Sequence, residues 1–265
     1  MIQSEFAEAM DRFSERYPHN QEMVDLFQGQ WSSKVPPEAG VINEPGTAPL
    51  YVDPRLRWAE QVLGGFRHMR VLELGPLEGM HSYMLERGGA QEILAIEAHP
   101  RAFLRCLCVK EMLGLQRVRF GFGDFRPYLE ENPERYSLIV ASGVLYHQRD
   151  PWRLLELMAL RSDRVFLWTH YYDHARIQEQ AHLRQRFQPP FRRHFADVLV
   201  EGAVQSYGEA LQIPGFCGGT AAQSVWLTRR SIVALLWSYG FRKIRSGCHE
   251  TDHPNGPAMA IVAGK

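Results

Sequence analysis

Five short apolar runs separated by amphipathic segments of helical length pass through the middle of the chain. They lie at 69–74 (MRVLEL), 92–97 (EILAIE), 117–123, 136–142 (YSLIVAS) and 164–169 (RVFLWT). Each is short enough for a buried strand. The segments between them, at 79–88, 100–114 and 150–161, predict helices. Strand, helix, strand in repetition predicts a parallel sheet, because parallel neighbours need crossover connections. A further helix is predicted from Pro54 to Leu63, stopped by Gly64-Gly65, and another at 228–239, ending at Gly240. Two terminal strands near 241–248 and 257–263 flank His253-Pro254-Asn255-Gly256-Pro257, a turn sequence compatible with a hairpin.

Two regions depart from this rhythm. Residues 1–30 read as helical, and Gln30 to Pro54 is rich enough in Pro and Gly to be irregular, so 1–53 is expected to form an N-terminal helical extension or lid. Residues 171–225 break the alternation with charged and aromatic clusters and the glycine-rich turn Phe216-Cys217-Gly218-Gly219. They are expected to form an insertion after the fifth strand, over the carboxyl ends of the sheet. The expected architecture is therefore α/β: a Rossmann-like, seven-stranded, mostly parallel sheet with helices on both faces, spanning 54–265.

Composition narrows the function classes. Lys+Arg and Asp+Glu both number 30, so the whole chain has no basic footprint for nucleic acid or anionic lipid, although Arg184, Arg186, Arg192 and Arg193 form a local basic cluster. The first twenty residues scatter charges among apolar positions and read as a surface helix, and no apolar run reaches membrane-spanning length. A cytoplasmic location is expected. Cys106, Cys108, Cys217 and Cys248 contain no C-x-x-C pair and are expected to be reduced thiols.

Candidate chemistry sits at the strand ends. After the first strand, Glu73-Leu74-Gly75-Pro76-Leu77-Glu78-Gly79 places two glycines four apart at a helix start, a tight turn that lets backbone approach a ligand. A G-x-G-x-x-G is absent, which favours a nucleoside without a pyrophosphate over a dinucleotide. Glu97, ending the second strand before Ala98, is placed to accept from a ribose diol, or else to cap a helix. Asp124 and Phe125 follow the third strand, as an adenine acceptor and a ring neighbour, or with Asp124 as an ordinary N-cap. The fourth strand ends in Ser142-Gly143-Val144-Leu145-Tyr146-His147. His147, with Tyr146 beside it, and His170 at the end of the fifth strand are candidates to act on an acceptor. Each histidine alternatively holds a turn. His170, Asp173 and His174 include metal-ligand types, but their spacing along a strand-to-loop segment does not set them on one face, and no metal is expected. Trp168, Tyr171, Tyr172, Tyr207, Phe216 and Trp226 are aromatic candidates for an acceptor pocket or for core.

With V-L-E-L-G-P-L-E-G at 71–79, I-E-A at 96–98, G-D-F at 123–125 and Y-S-L-I-V-A-S-G-V-L-Y-H at 136–147, the chain resembles the class I S-adenosylmethionine-dependent methyltransferases. The resemblance implies S-adenosylmethionine as cofactor and S-adenosylhomocysteine as product. Its glycine loop would fall on Glu73, Gly75, Pro76 and Gly79, its ribose acid on Glu97 with Ala98, and its adenine acid on Asp124 with Phe125. Ser142, in the small-residue turn after the fourth strand where ligand should lie, is a further cofactor-binding candidate. Pro76-Leu77 departs from the small or polar pair that many members carry. The stretch G-V-L-Y-H-Q-R-D-P at 143–151 looks closest to the tRNA wobble-uridine alkyltransferases and to uncharacterised bacterial methyltransferases of similar length. The expected activity is methyl transfer to a small-molecule acceptor. The alternatives are a tRNA wobble-uridine alkyltransferase that uses S-adenosylmethionine or its carboxy derivative, and an inactive cofactor-binding partner subunit.

Overall fold

The computed structural model describes residues 11, 13–195, 197–213 and 215–265. In chain order it contains α1 (Asn20–Asp25), β1 (Trp31–Ser33), β2 (Pro45–Ala48), α2 (Pro54–Leu63), β3 (Arg70–Leu74), α3 (Met80–Arg87), β4 (Glu92–Glu97), α4 (Pro100–Met112), β5 (Val118–Phe122) and α5 (Phe125–Glu131). There follow β6 (Leu138–Ser142), α6 (Pro151–Arg161), β7 (Arg164–His170), α7 (His174–Glu179), α8 (Ala181–Arg184), β8 (Phe191–Phe195), β9 (Val198–Ser206), β10 (Gln223–Leu227), α9 (Arg229–Ser238), β11 (Lys243–Glu250) and β12 (Ala258–Gly264).

Seven strands form the main sheet in the order β11-β12-β7-β6-β3-β4-β5. Strands β7, β6, β3, β4 and β5 run parallel, while β12 is antiparallel to both β7 and β11. Alternation along each strand divides the core in two. Val71, Ala95, Val140 and Phe166 pack on one face with Leu56, Leu85 and Val109 of α2, α3 and α4. Leu72, Ile96, Ala141 and Leu167 pack on the other with Leu129, Leu154 and Leu235 of α5, α6 and α9. Because helices cover both faces, the inner strands carry almost no polar residue in their middles. The chain runs from β3 through β4 to β5 at one edge and then crosses back to β6 on the other side of β3, so the strand order reverses there, and the crevice outside the carboxyl ends is where such sheets bind ligands.

Of the expected N-terminal helix, the described residues are helical over Asn20–Asp25. Residues 1–10 and 12 lie outside the described residues, residues 13–19 are not helical, and α1 spans six residues. Pro18 accounts for the late start, since it biases Tyr17 away from helical geometry, and His19 then caps α1 by accepting from the Gln21 amide. The stretch that follows is not wholly irregular. Its β1 and β2 pair in parallel, and the amides of Ser32 and Ser33 donate to the two carboxylate oxygens of Glu78, at 2.9 and 2.8 Å. Glu78 is fully buried and belongs to the glycine loop, so this N-terminal strand is tied directly to the turn after β3.

The region 171–225 holds two short helices and most of an antiparallel sheet, β10-β9-β8. Gly202 at the centre of β9 obscures the strand in the sequence, yet a Cβ there would lie 2.5 Å from the Trp226 carbonyl oxygen. Close strand approach requires the glycine. Arg192 is paired across this sheet with Glu201 at 2.5 Å, which takes one member out of the local basic cluster. No helix among the described residues is long and apolar enough to cross a membrane.

Candidate functional site

A cleft of about 1270 Å³ runs along the carboxyl ends of β3, β4, β5, β6 and β7. Gly75, Glu97, Ala98, Asp124, Phe125, Ser142, Tyr146 and His147 all line it, together with Arg55, His81, His99, Arg101, Arg149 and Trp168. Its far wall is formed by residues 211–213 and 215–221, in which Phe216 and Gly218 lie against His147. Four loops distant in sequence thus converge because parallel strands end at one edge.

The glycine loop is tightly constrained. Gly75 has φ +65°, and a Cβ there would meet Val144 Cγ1 at 2.9 Å. Gly79 has φ +73°, and its Cβ would press on the Phe120 ring at 3.1 Å, so this glycine serves packing behind the cleft rather than its wall. Leu77, between them, also has a left-handed backbone, φ +58°, which costs a non-glycine residue energy and is compensated by its surroundings. Its amide donates to Glu97 Oε2 at 3.0 Å, and the His99 amide donates to Oε1 at 2.8 Å. Burial raises the Glu97 pKa, opposed by these amide donors. Each oxygen keeps a second lone-pair direction for a hydroxyl donor.

Asp124 caps α5, accepting from the Arg126 amide at 2.8 Å, and also lines the cleft. Capping and ligand contact are therefore not exclusive at this residue. Glu73 and Pro76 are buried behind the loop and do not line the cleft. The Glu73 carboxyl accepts from Ser82 Oγ, and burial raises its pKa.

At the β6 end, His147 Nδ1 contacts the Tyr207 hydroxyl, and burial lowers its pKa to about 3, with a smaller contribution from His170. Tyr146 stacks edge-on against Trp168, His170 and Trp226, and burial raises its pKa. His170 is not part of the cleft wall. Its Nδ1 binds the Gly256 carbonyl at 2.7 Å, its ring lies parallel to Trp226, and burial lowers its pKa to about 4. It supports the floor beneath Tyr146 and Trp168. Tyr172 and Trp226 form a small core of their own with Ile177 and Leu183, while Tyr171 packs into the main core. Asp173 caps α7 and His174 meets the Tyr172 hydroxyl, so His170, Asp173 and His174 do not converge. Among the described residues no group of three or more His, Cys, Asp or Glu could hold a metal. All four cysteines are free.

Arg55, like His81, His99 and Arg101, is a cleft residue that the sequence reading missed. It lies at the start of α2, over one hundred positions before Trp168, on which its guanidinium stacks at 4.2 Å. Asp53, two positions earlier and fully buried, grips it through Nε and Nη2 at 2.8 and 2.6 Å. The D-P-R spacing at 53–55 was the available signal.

By sequence, no protein-family model and no curated protein matches the chain. Solved structures do match it. The N-terminal domain of EvdMO1, crystallised in the presence of S-adenosylhomocysteine and D-fucose, is 22% identical with TM-score 0.61, the match covering 100% of this chain and 95% of that one. The fold is that of the class I S-adenosylmethionine-dependent methyltransferases. Against EvdMO1 outside that domain crystal, the match covers 84% of this chain but 43% of the other, with TM-score 0.52 and 23% identity. Magnesium protoporphyrin IX methyltransferase from Synechocystis PCC 6803, with bound S-adenosylhomocysteine, shares this methyltransferase fold at 14% identity, TM-score 0.55 and coverage of 79% and 80%. So does the 1,6-didemethyltoxoflavin-N1-methyltransferase of Burkholderia thailandensis, at 17% identity, TM-score 0.51 and coverage of 82% and 78%.

Proposed function

We propose that this chain transfers a methyl group from S-adenosylmethionine to a small-molecule acceptor. The observation that carries the reading is the single cleft that joins Gly75, Glu97, Asp124, Ser142 and His147 under the 211–221 segment. The cofactor fits the residues present. Glu97 has lone pairs left for a ribose diol, Asp124 and Phe125 stand where an adenine edge and face would lie, and Gly75 leaves room that a side chain would fill. The bound sulfonium would supply an electrophilic methyl carbon.

The protein's part is alignment and proton handling. A buried, neutral His147 with its proton on Nδ1, donating to the Tyr207 oxygen, keeps an Nε2 lone pair for the acceptor's hydroxyl or amine proton. A pKa near 3 makes this imidazole a weak base, so positioning supplies more of the acceleration than proton abstraction does. Tyr146 and Trp168 set the depth of the acceptor end, and the 211–221 segment limits its size. That wall favours a small acceptor over a tRNA loop, and the EvdMO1 domain and the toxoflavin enzyme, whose crystals contain small molecules, point the same way.

Calorimetric titration with S-adenosylmethionine and S-adenosylhomocysteine tests the reading, with mass spectrometry of co-purifying nucleosides. Binding in the micromolar range, about −8 kcal/mol, is expected. Folded protein that binds neither nucleoside would overturn it.

A further inference from the structure

Arg55 is a cation in the cleft wall at the end of β7. Its ion-pair partner Asp53 is fully buried, whereas Arg126, which also lines the cleft, is held by Asp150 through contacts of 2.5 and 2.9 Å. The cleft's other carboxylates, Glu97, Asp124 and Glu130, lie toward the β4 and β5 ends. A guanidinium whose counter-charge is buried away from the cleft can still offer its remaining donors to an anion there.

Arg55 is also unusually fixed for a cleft arginine. Asp53 accepts from its backbone amide, from Nε at 2.8 and 3.0 Å and from Nη2 at 2.6 Å, and takes a further bond from His81 Nε2 at 2.8 Å. Trp168 lies flat against the guanidinium. Burial alone would raise the Asp53 pKa, but the bonds from His81 and Arg55 outweigh it and hold the carboxyl well below the usual range. Asp53 therefore stays charged, and Arg55 cannot swing away without leaving a buried carboxylate with His81 as its remaining side-chain partner. The Asp53 fork uses the Nε–Nη2 edge, while Nη1 bonds to no described residue. The side chain is 17% exposed, and it reaches the surface at the cleft. The guanidinium is thus oriented in advance, with donors left over, at the end of β7. That position is two strands from the glycine loop, roughly 10 Å across the sheet.

We propose that Arg55 is the receptor for a carboxylate on the acceptor, so that this enzyme methylates a small hydroxylated or aminated acid rather than a neutral molecule. The inference rests on the methyltransferase reading above. Pre-set guanidinium donors give a carboxylate strong charge-assisted hydrogen bonds, and the stack on Trp168 fixes the plane from which it is approached.

The test uses full-length protein saturated with S-adenosylhomocysteine and two matched pairs of probes. D-galacturonate is set against D-fucose, which shares its ring and differs at C6, and salicylate is set against salicylamide. At least one acid is expected to bind about tenfold more tightly than its neutral partner, with the preference lost in Arg55→Gln and partly kept in Arg55→Lys, which retains the charge without the fork. Neutral partners that bind as well as the acids, or failure of both acids to bind at millimolar concentration, would overturn the proposal. A second arm compares S-adenosylhomocysteine with 5′-methylthioadenosine, which lacks the amino-acid portion. If Arg55→Gln weakens the first and spares the second, Arg55 serves the cofactor's own carboxylate and the proposal fails. A co-purifying nucleoside with an extra carboxylate reassigns Arg55 in the same way. Loss of S-adenosylhomocysteine binding by the wild-type protein would instead sink the methyltransferase reading itself. Near-ultraviolet circular dichroism, sensitive to the Trp168 stack, verifies that each variant is folded.

Discussion

The two ends of the cleft are built on different principles. At the end proposed for the nucleoside, the proposed recognition groups sit at or just beyond a strand end, and the local backbone fixes them: Glu97 by the Leu77 and His99 amides, Asp124 by the Arg126 amide. At the end proposed for the acceptor, side chains fix one another, Arg55 by neighbouring Asp53 and distant Trp168, and His147 by distant Tyr207 and Phe216. The first design tolerates change elsewhere in the fold because it needs only correct strand ends. The second depends on tertiary packing, and it is the end free to vary with the acceptor.

If that contrast is right, Glu97→Ala should have the largest effect on cofactor affinity. It removes the proposed ribose acceptor and frees the Leu77 amide, for a loss of about 2–3 kcal/mol in S-adenosylhomocysteine binding by calorimetry. An unchanged affinity would mean that Glu97 only braces the loop. His147→Gln should do the converse, leaving cofactor affinity unaltered while lowering turnover by roughly 10- to 100-fold once an acceptor is in hand. A fall in cofactor affinity of the same size would erase the distinction between the ends.

Asp124→Ala is the mixed case. It should cost about 1 kcal/mol of stability through the lost cap, and about 1–3 kcal/mol of nucleoside affinity through the lost acceptor. Thermal unfolding with and without S-adenosylhomocysteine separates the two. A separate prediction concerns pH. His147 and His170 titrate in the folded protein near 3 and 4, against about 6.5 in an unfolded chain. Between those values the unfolded state binds more protons, so their contribution is complete above about pH 6.5 and declines as pH falls. The melting temperature should drop from pH 7 to pH 5, and more shallowly in a His147→Gln/His170→Gln variant. Parallel curves for the two proteins would refute the burial argument.

Much of the nucleoside end was legible in the sequence because its signals are local. The five apolar runs became β3 to β7 within two residues at each boundary, and Gly75, Glu97, Ala98, Asp124, Phe125, Ser142, Tyr146 and His147 all reached the cleft. Where the reading failed, the deciding contact lay far away in the chain. Glu73, Pro76 and Gly79 share the glycine-loop motif but turn inward, and His170 is drawn under the floor by the Gly256 carbonyl. Arg55 has meaning only once α2 is folded beside β7. Gly202 hid a strand because its reason, the Trp226 carbonyl, is supplied by β10. Gly75 carries a further lesson. Its left-handed backbone and its contact with Val144 mean that adding a side chain would disturb the fold as well as the ligand, so Glu97 is the cleaner probe.

The pairing of Glu78 with the Ser32 and Ser33 amides makes the N-terminal segment a reporter on the cofactor loop. Because those two protons are held by a carboxylate within the loop itself, whatever stiffens the loop should slow their exchange with solvent. By reciprocity, loosening the segment should weaken whatever the loop binds. Amide exchange at these two serines thus offers a reading of site occupancy that needs neither a known acceptor nor turnover.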